Sequence, residues 1–294
     1  MDYSLSRHSA TVGRLRGVGR FHWSAGAGRT RALEELQTSL RRVSGTYVTL
    51  TALRGAATRW TGNARQSAAY RSGRVLPASD AAHVHSPFGG QGLNLGVGEA
   101  MSLGWKLGAV VAGWVPEGLL DTYDAERRPL SAWVLDWTRA QTGVVRGDAK
   151  SAALREVVAD LLSTREGATY AVRKISGVTQ RIDLPGSHPL TGRPVPDLGL
   201  RDGSRLADHG HGGGFLLLDR TPDRGFARAA AAWTGRVGSV RDDHATPTGV
   251  SVRPDGVVAW AADIADSTTA AGLEAALRRR AGAPSPAPEH EPAA

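Results

Sequence analysis

Apolar residues recur at positions 93, 97, 100, 103, 107, 110 and 111, which is helical spacing and predicts a helix over Leu93–Val111. Pro116-Glu117-Gly118 breaks it, and Leu119–Arg128 starts a second helix that can kink at Pro129 into Leu130–Val145. Ser151–Ser163 and Gly167–Ile175 continue the helical pattern, and Ala32–Val43 begins it. Strand-like stretches lie at Tyr47–Leu53 and Arg74–Ser79, the second weakened by Pro77, with Thr58–Tyr70 either a strand or irregular.

Beyond a Pro- and Gly-rich linker at Leu184–Pro196 the rhythm changes. Phe215–Asp219 reads as a buried strand, Arg224–Trp233 as a helix, and Val237–Val240 and Gly249–Val252 as strands. Arg253-Pro254-Asp255-Gly256 is a turn, Val257–Ala261 completes a hairpin, and Ala270–Arg280 closes with a helix. This order is that of a thioredoxin-like α/β unit. The pattern divides the chain into a poorly ordered N-terminus (1–30), a first domain (31–184), a thioredoxin-like domain (185–281) and a disordered tail (282–294).

Composition narrows the chemistry. The 294 residues contain no cysteine, which excludes disulfides, thiolate metal sites and a CxxC redox centre, and fits a cytoplasmic protein. The formal charge is +8. It comes almost wholly from scattered arginines, many beside acids, without a basic block or interleaved aromatics, which argues against a nucleic-acid partner. No apolar run is long enough to span a membrane.

The N-terminal glycines, Gly17-Val18-Gly19 and Gly26-Ala27-Gly28, hint at a phosphate loop. Arg31 stands where a dinucleotide fingerprint needs its third glycine, and Tyr47–Leu53 ends without a ribose-binding acid. His83/His85 and His209/His211 are i,i+2 pairs without the carboxylate arrangement of a metal motif. Glu126, Arg127 and Arg128 read as an ion-pair network, and Trp60, Trp105 and Trp114 as core or pocket wall.

The informative stretch runs from Gly73 to Asn94. An acid, Asp80, follows a short apolar run. A loop with Pro87, Gly89, Gly90 and Gly92 then opens the long helix. Glycines let a flat ligand approach the backbone, and a helix amino end suits a partly anionic ligand edge. With Ser79-Asp80-Ala81-Ala82-His83 and Pro87-Phe88-Gly89-Gly90-Gln91-Gly92-Leu93-Asn94, this stretch resembles the second FAD motif of class A flavoprotein monooxygenases. Leu119-Leu120-Asp121-Thr122-Tyr123-Asp124-Ala125-Glu126-Arg127-Arg128-Pro129 and His188-Pro189-Leu190-Thr191-Gly192-Arg193-Pro194 extend the resemblance to the polyketide hydroxylases.

The resemblance implies an α/β fold: the C-terminal part of a p-hydroxybenzoate hydroxylase-like FAD domain, an incomplete parallel sheet plus helices, followed by the thioredoxin-like domain. It implies that Asp80 bonds the ribityl or pyrophosphate region of FAD and that Pro87 sits by the isoalloxazine. The backbone of Gly89, Gly90, Gln91, Gly92, Leu93 and Asn94 would face the flavin N1/C2 edge. NAD(P)H would be the reductant, O2 the oxidant and a polycyclic aromatic the substrate. Ser79 replaces the family's glycine before the acid, and Phe88 follows Pro87. The GxGxxG segment and a later Asp-Gly motif are not found in order. An uncovered sheet edge and apolar face are therefore expected, with reduced FAD affinity. The missing half would come from a separate N-terminal chain, or the chain would pair with itself as a homodimer. A non-catalytic remnant and a non-redox polyketide-tailoring protein are the alternatives.

Overall fold

A computed structural model describes residues 28–53, 63–243 and 246–285. The glycine pairs before residue 28, Trp60 and the tail beyond 285 lie outside the described residues.

The first helix, α1 (Gly28–Ser44), is followed by a segment that runs back along it. Here the strand expected at Tyr47–Leu53 is not formed. Side chains of α1 hold the returning backbone: Gln37 accepts from the Leu50 N–H at 2.8 Å, and Arg41 donates to the Val48 carbonyl at 2.7 Å. β-branched residues favour a strand only where a ladder partner exists, and none lies beside this segment among the described residues.

The same half carries only a two-residue antiparallel pair, β1 (Arg65–Gln66) with β2 (His83–Val84). The α/β class holds for the chain, but the parallel sheet expected of this half is not formed among the described residues. Arg74–Ser79 is not a strand either. Val75 closes a tight bridge to Ser72 and is exposed. Pro77 lends its carbonyl to the Tyr123 hydroxyl, and Ser79 turns the chain left-handed at φ 55°.

Helices build the rest of this half. α2 (Gln91–Val111) and α3 (Asp121–Val145) form as the spacing predicts, and α3 passes through Pro129. α4 (Ala149–Ser163) is capped by Asp148 and α5 (Arg165–Ile175) by Thr164, each side chain accepting from a backbone N–H of the first turn at 3.0 Å.

α2 is inside out. Its buried stripe is Leu95, Glu99, Ser102, Lys106 and Ala109, while Leu93, Val97, Met101, Leu107 and Val111 face solvent. The period is helical, yet most of the apolar stripe that gives it away points outward.

The C-terminal half follows the expected order. β3 (Phe215–Asp219), α6 (Gly225–Ala229), β4 (Val237–Arg241), β5 (Gly249–Val252), β6 (Val258–Ala262) and α7 (Ser267–Arg280) make a sheet of order β4-β3-β5-β6. β3 and β4 are parallel and the other pairs antiparallel. Every residue of β3 is buried because both faces are covered. Phe226, Trp233, Leu273 and Leu277 pack with Phe215 and Leu217, and Leu200 and Leu206 pack with Leu216 and Leu218.

Two segments read as loose are tied down. The Leu184–Pro196 stretch lies along β6: Gly192 N–H donates to the Val258 carbonyl and Val258 N–H to the Arg193 carbonyl, both at 2.9 Å. This covers an edge that would otherwise be open. The start of the tail is also ordered. Trp233 Nε1 donates to Gly282 O at 2.8 Å, Arg236 to the carbonyls of Ala281 and Ala283, and Ser285 N–H to Ala232 O.

A buried ionic cluster joins the halves. Glu126 of α3 accepts from Lys106 Nζ of α2 at 2.8 Å and from both Arg253 guanidinium arms at 3.0 and 2.9 Å. Arg280 of α7 lies 3.2 Å from Glu126. Asp255 pairs with Arg253 and accepts from Trp105 Nε1 at 3.1 Å. Burial pulls the Lys106 amine down to about 8 against the Glu126 attraction. Burial also disfavours the Glu126 carboxylate, but Arg253 and Lys106 outweigh it and hold its pKa low.

Candidate active site

The glycine loop sits between β2 and α2. After Val84, His85 stacks on His83 with ring centroids 5.9 Å apart and bonds the Ser86 carbonyl at 2.8 Å. Pro87 leads into a tight turn, Phe88–Gly90, whose backbone is not helical at Gly89. Gly89 (φ 74°) and Gly90 (φ 63°) are both left-handed, where a Cβ is strained. A Cβ on Gly90 would meet nothing within 4 Å, so the loop surface is open there.

Gly90 is the N-cap of α2, and no side chain caps that end. The N–H groups of Gln91, Gly92 and Leu93 therefore form a first turn with positive potential and no capping side chain. Gly90 N–H itself is used internally, donating to the Pro87 carbonyl at 3.1 Å. Asn94 reaches back from the helix to the Gly90 carbonyl at 3.3 Å, and Leu93 is exposed. An open glycine loop at an uncapped helix end fits the pyrimidine edge of a flavin.

Asp80 is placed differently from the reading above. It lies in a 3-10 turn, Ser79–Ala81, rather than at a strand end. It is exposed, with no hydrogen bond or ion pair among the described residues. The substitution at Ser79 has an accommodation: Gly96 of α2 lies directly against it. A Cβ on Gly96 would sit 2.7 Å from Ser79 Oγ, so the missing glycine before the acid is matched by one on the facing helix.

Glu99 was not foreseen. It is fully buried and clamps the turn that carries Asp80. Its carboxylate accepts from Ser79 N–H at 2.7 Å and Ser131 Oγ at 3.0 Å, and pairs with His83 Nε2 at 3.0 and 3.1 Å. Burial pushes its pKa up, but His83 and Ser79 outweigh it and hold it below the ordinary value. The available signal was an acid on the helix face opposite the apolar stripe, which is the usual mark of solvent exposure.

The comparisons with known proteins decide the family. Residues 11–138 match the FAD binding domain family, and residues 188–284 match the C-terminal region of aromatic-ring hydroxylases. The chain belongs to the FAD-dependent aromatic-ring hydroxylases. A 12-dehydrotetracycline 5-monooxygenase/anhydrotetracycline 6-monooxygenase of Streptomyces rimosus is 43% identical over 262 residues, 85% of this chain and 52% of that protein. The solved structure of the anhydrotetracycline hydroxylase OxyS from the same organism superposes with a TM-score of 0.75 at 41% identity, over 86% of this chain and 53% of that one. A dialkyldecalin synthase of Streptomyces rugosporus is 37% identical over 83% of this chain and 49% of that protein. The chain thus spans about half the length of the curated relatives it matches. No helix among the described residues is long and apolar enough to cross a membrane.

Proposed function

We propose that this chain is the C-terminal part of an FAD-dependent monooxygenase that hydroxylates an aromatic, polyketide-type substrate with NAD(P)H and O2. The observation that carries the reading is the open glycine loop at the uncapped amino end of α2, within the segment that matches the FAD binding domain. FAD, when bound, supplies the reduction of oxygen and the transfer of a hydroxyl to an electron-rich ring. The amino end of α2 would stabilise negative charge on the pyrimidine edge, and the Gly89–Asn94 backbone would hold that edge. Asp80 would accept from the ribityl chain, held in place by the Glu99–Ser79 clamp, and Pro87 would lie beside the ring.

Residues 31–184 then form the partial FAD and substrate domain and 185–281 a thioredoxin-like unit, in a cytoplasmic protein. The exposed Leu93, Val97, Met101, Leu107 and Val111 form an apolar face in this half. Gly104 and Gly108 leave α2 open to close approach. We read this face as the seat of a polypeptide equivalent to the half of the relatives that the chain does not span. Self-association as a homodimer is the competing occupant.

The dialkyldecalin synthase among the relatives favours a second reading, in which the pocket shapes a polyketide without net oxidation. Co-purifying the chain with the complementary half of the S. rimosus relative tests both. A yellow complex that oxidises NAD(P)H in the presence of an electron-rich polycyclic phenol, giving a product with one added oxygen atom, supports the monooxygenase. A yellow complex that rearranges substrate without consuming NAD(P)H supports the second. A colourless complex contradicts both cofactor-dependent readings and leaves the non-catalytic remnant.

A further inference from the structure

Glu126, Arg127 and Arg128 were expected to form an ion-pair network, and two of them do. Glu126 accepts from Lys106 in the buried cluster, and Arg128 approaches Asp124 at 3.3 Å. Arg127 is the exception. It is only 7% exposed, yet no hydrogen bond or ion pair reaches its guanidinium among the described residues, and its Nε is enclosed without a partner. The carboxylates within electrostatic reach, Glu99, Asp255 and Glu126, are engaged elsewhere. Glu99 serves Ser79, Ser131 and His83, while Lys106 and Arg253 take Glu126 and Asp255. Lys106, Arg127, Arg253 and Arg280 thus share this seam with Glu99, Glu126 and Asp255, four cations against three carboxylates. Burial pulls the Arg127 pKa below its ordinary value and the nearby acids do not restore it. Burial also pulls on Arg253, but there Asp255 and Glu126 outweigh it and raise the pKa.

A buried charge without a direct partner is costly, and proteins pair such groups. The position of this one says where a partner would come from. The guanidinium lies over α2 at Gly98, where a Cβ would sit 2.6 Å from Arg127 Nη2. Val97 and Met101, beside Gly98 on the helix, are both exposed and belong to the apolar face of α2. Arg127 therefore sits at the border of a surface that a polypeptide would cover, and a polypeptide meets a guanidinium with a carboxylate. We infer that the polypeptide seated on the apolar face of α2 brings a carboxylate to Arg127 and so balances the charge of the seam. The occupant rests on the reading of that face as the seat of the half that this chain does not span; the want of a partner for Arg127 within the chain does not.

The experiment compares wild type, Arg127→Met and the more exposed control Arg128→Met in two measurements. One is the thermal midpoint of the full chain alone. The other is its affinity, without FAD, for the complementary half of the S. rimosus relative. The midpoint of Arg127→Met alone should not fall, because methionine removes an uncompensated buried charge. Its affinity for the half should drop at least about tenfold, and that of Arg128→Met should change less than about twofold. Among Asp→Asn and Glu→Gln variants of the half, one should lose affinity by the same factor and lose nothing further against Arg127→Met. A lower midpoint of Arg127→Met alone would show the charge already compensated within the chain and overturn the inference. So would a loss of affinity that appears only with FAD, which gives the anion to the cofactor, or self-association of wild type abolished by Arg127→Met, which gives it to a second copy. Binding of the half that is insensitive to Arg127→Met sinks this inference alone, whereas a wild-type chain that does not bind the half sinks the seat and its occupant together.

Discussion

Replacing Glu99 by glutamine tests how the fold holds the turn that carries Asp80. The wild-type carboxylate is fully buried and serves three partners: Ser79 N–H at 2.7 Å, Ser131 Oγ at 3.0 Å and His83 Nε2 at 3.0 Å. Glutamine keeps the shape, removes the charge and turns one acceptor oxygen into a donor that must face another donor. Hydrogen bonds to a charged group contribute roughly 1.5–3 kcal/mol each but are not additive. One such bond lost and one weakened give a destabilisation of about 3 kcal/mol. At about 2–4 °C per kcal/mol for a chain of this size, the thermal midpoint should fall by roughly 6–12 °C. Hydrogen exchange at the Ser79 amide should accelerate in parallel. The pH dependence has a definite sign. Partners hold the folded-state pKa of Glu99 below its ordinary value of 4.5. Its contribution is therefore fully present above that pH and is lost as pH falls through the lower folded value. The gap between wild type and Glu99→Gln should close only in that acid range. A variant within about 0.5 kcal/mol of wild type at pH 7, with unchanged Ser79 exchange, would refute the clamp.

Other perturbations probe the remaining links. Glu126→Gln leaves Lys106, Arg253 and Arg280 around a neutral group; the expected cost is about 3–5 kcal/mol, read by urea denaturation, with the single transition splitting as the halves uncouple. Lys106 is held at about 8, below its ordinary 10.5. The folded state therefore releases its proton first, and this group's contribution is full above 10.5 and lost as pH falls through about 8. Stability should rise between pH 8 and 10 in wild type and rise less in Lys106→Met. Met101→Asp puts a charge on the exposed apolar face of α2; the chain's own stability should stay within about 0.5 kcal/mol, while association with the complementary half is lost in a pull-down.

How much was legible follows from where each signal resides. The C-terminal strands β3, β5 and β6 could be read because each is a short, largely apolar run buried along almost all of its length, with turn residues such as Arg253-Pro254-Asp255-Gly256 between them. The α2 helix could be read from its period, but not the direction of its apolar stripe, because a period does not say what covers which face. Tyr47–Leu53 and Arg74–Ser79 carry strand-like residues and make no ladder, since a strand depends on a distant partner. The ordered start of the tail was invisible because Trp233 and Arg236 grip backbone carbonyls, which leave no mark in the side-chain sequence. At the site, glycine spacing announced the loop. The Glu99 clamp arises from helices brought together in space, and no local motif encodes it.

The central claim is that the amino end of α2 cups a flavin ring, and it has a direct readout in flavin titrations of the purified chain. On the proposed reading the Gly89–Asn94 segment holds the isoalloxazine end of the cofactor, so FAD and riboflavin should bind this chain with dissociation constants within about threefold, with a perturbed visible spectrum. Gly90→Val, whose side chain would occupy the open surface of the loop, should weaken both about tenfold or more while the chain stays folded. A spectrum identical to free flavin at saturating protein, or undiminished binding in folded Gly90→Val, would contradict the account.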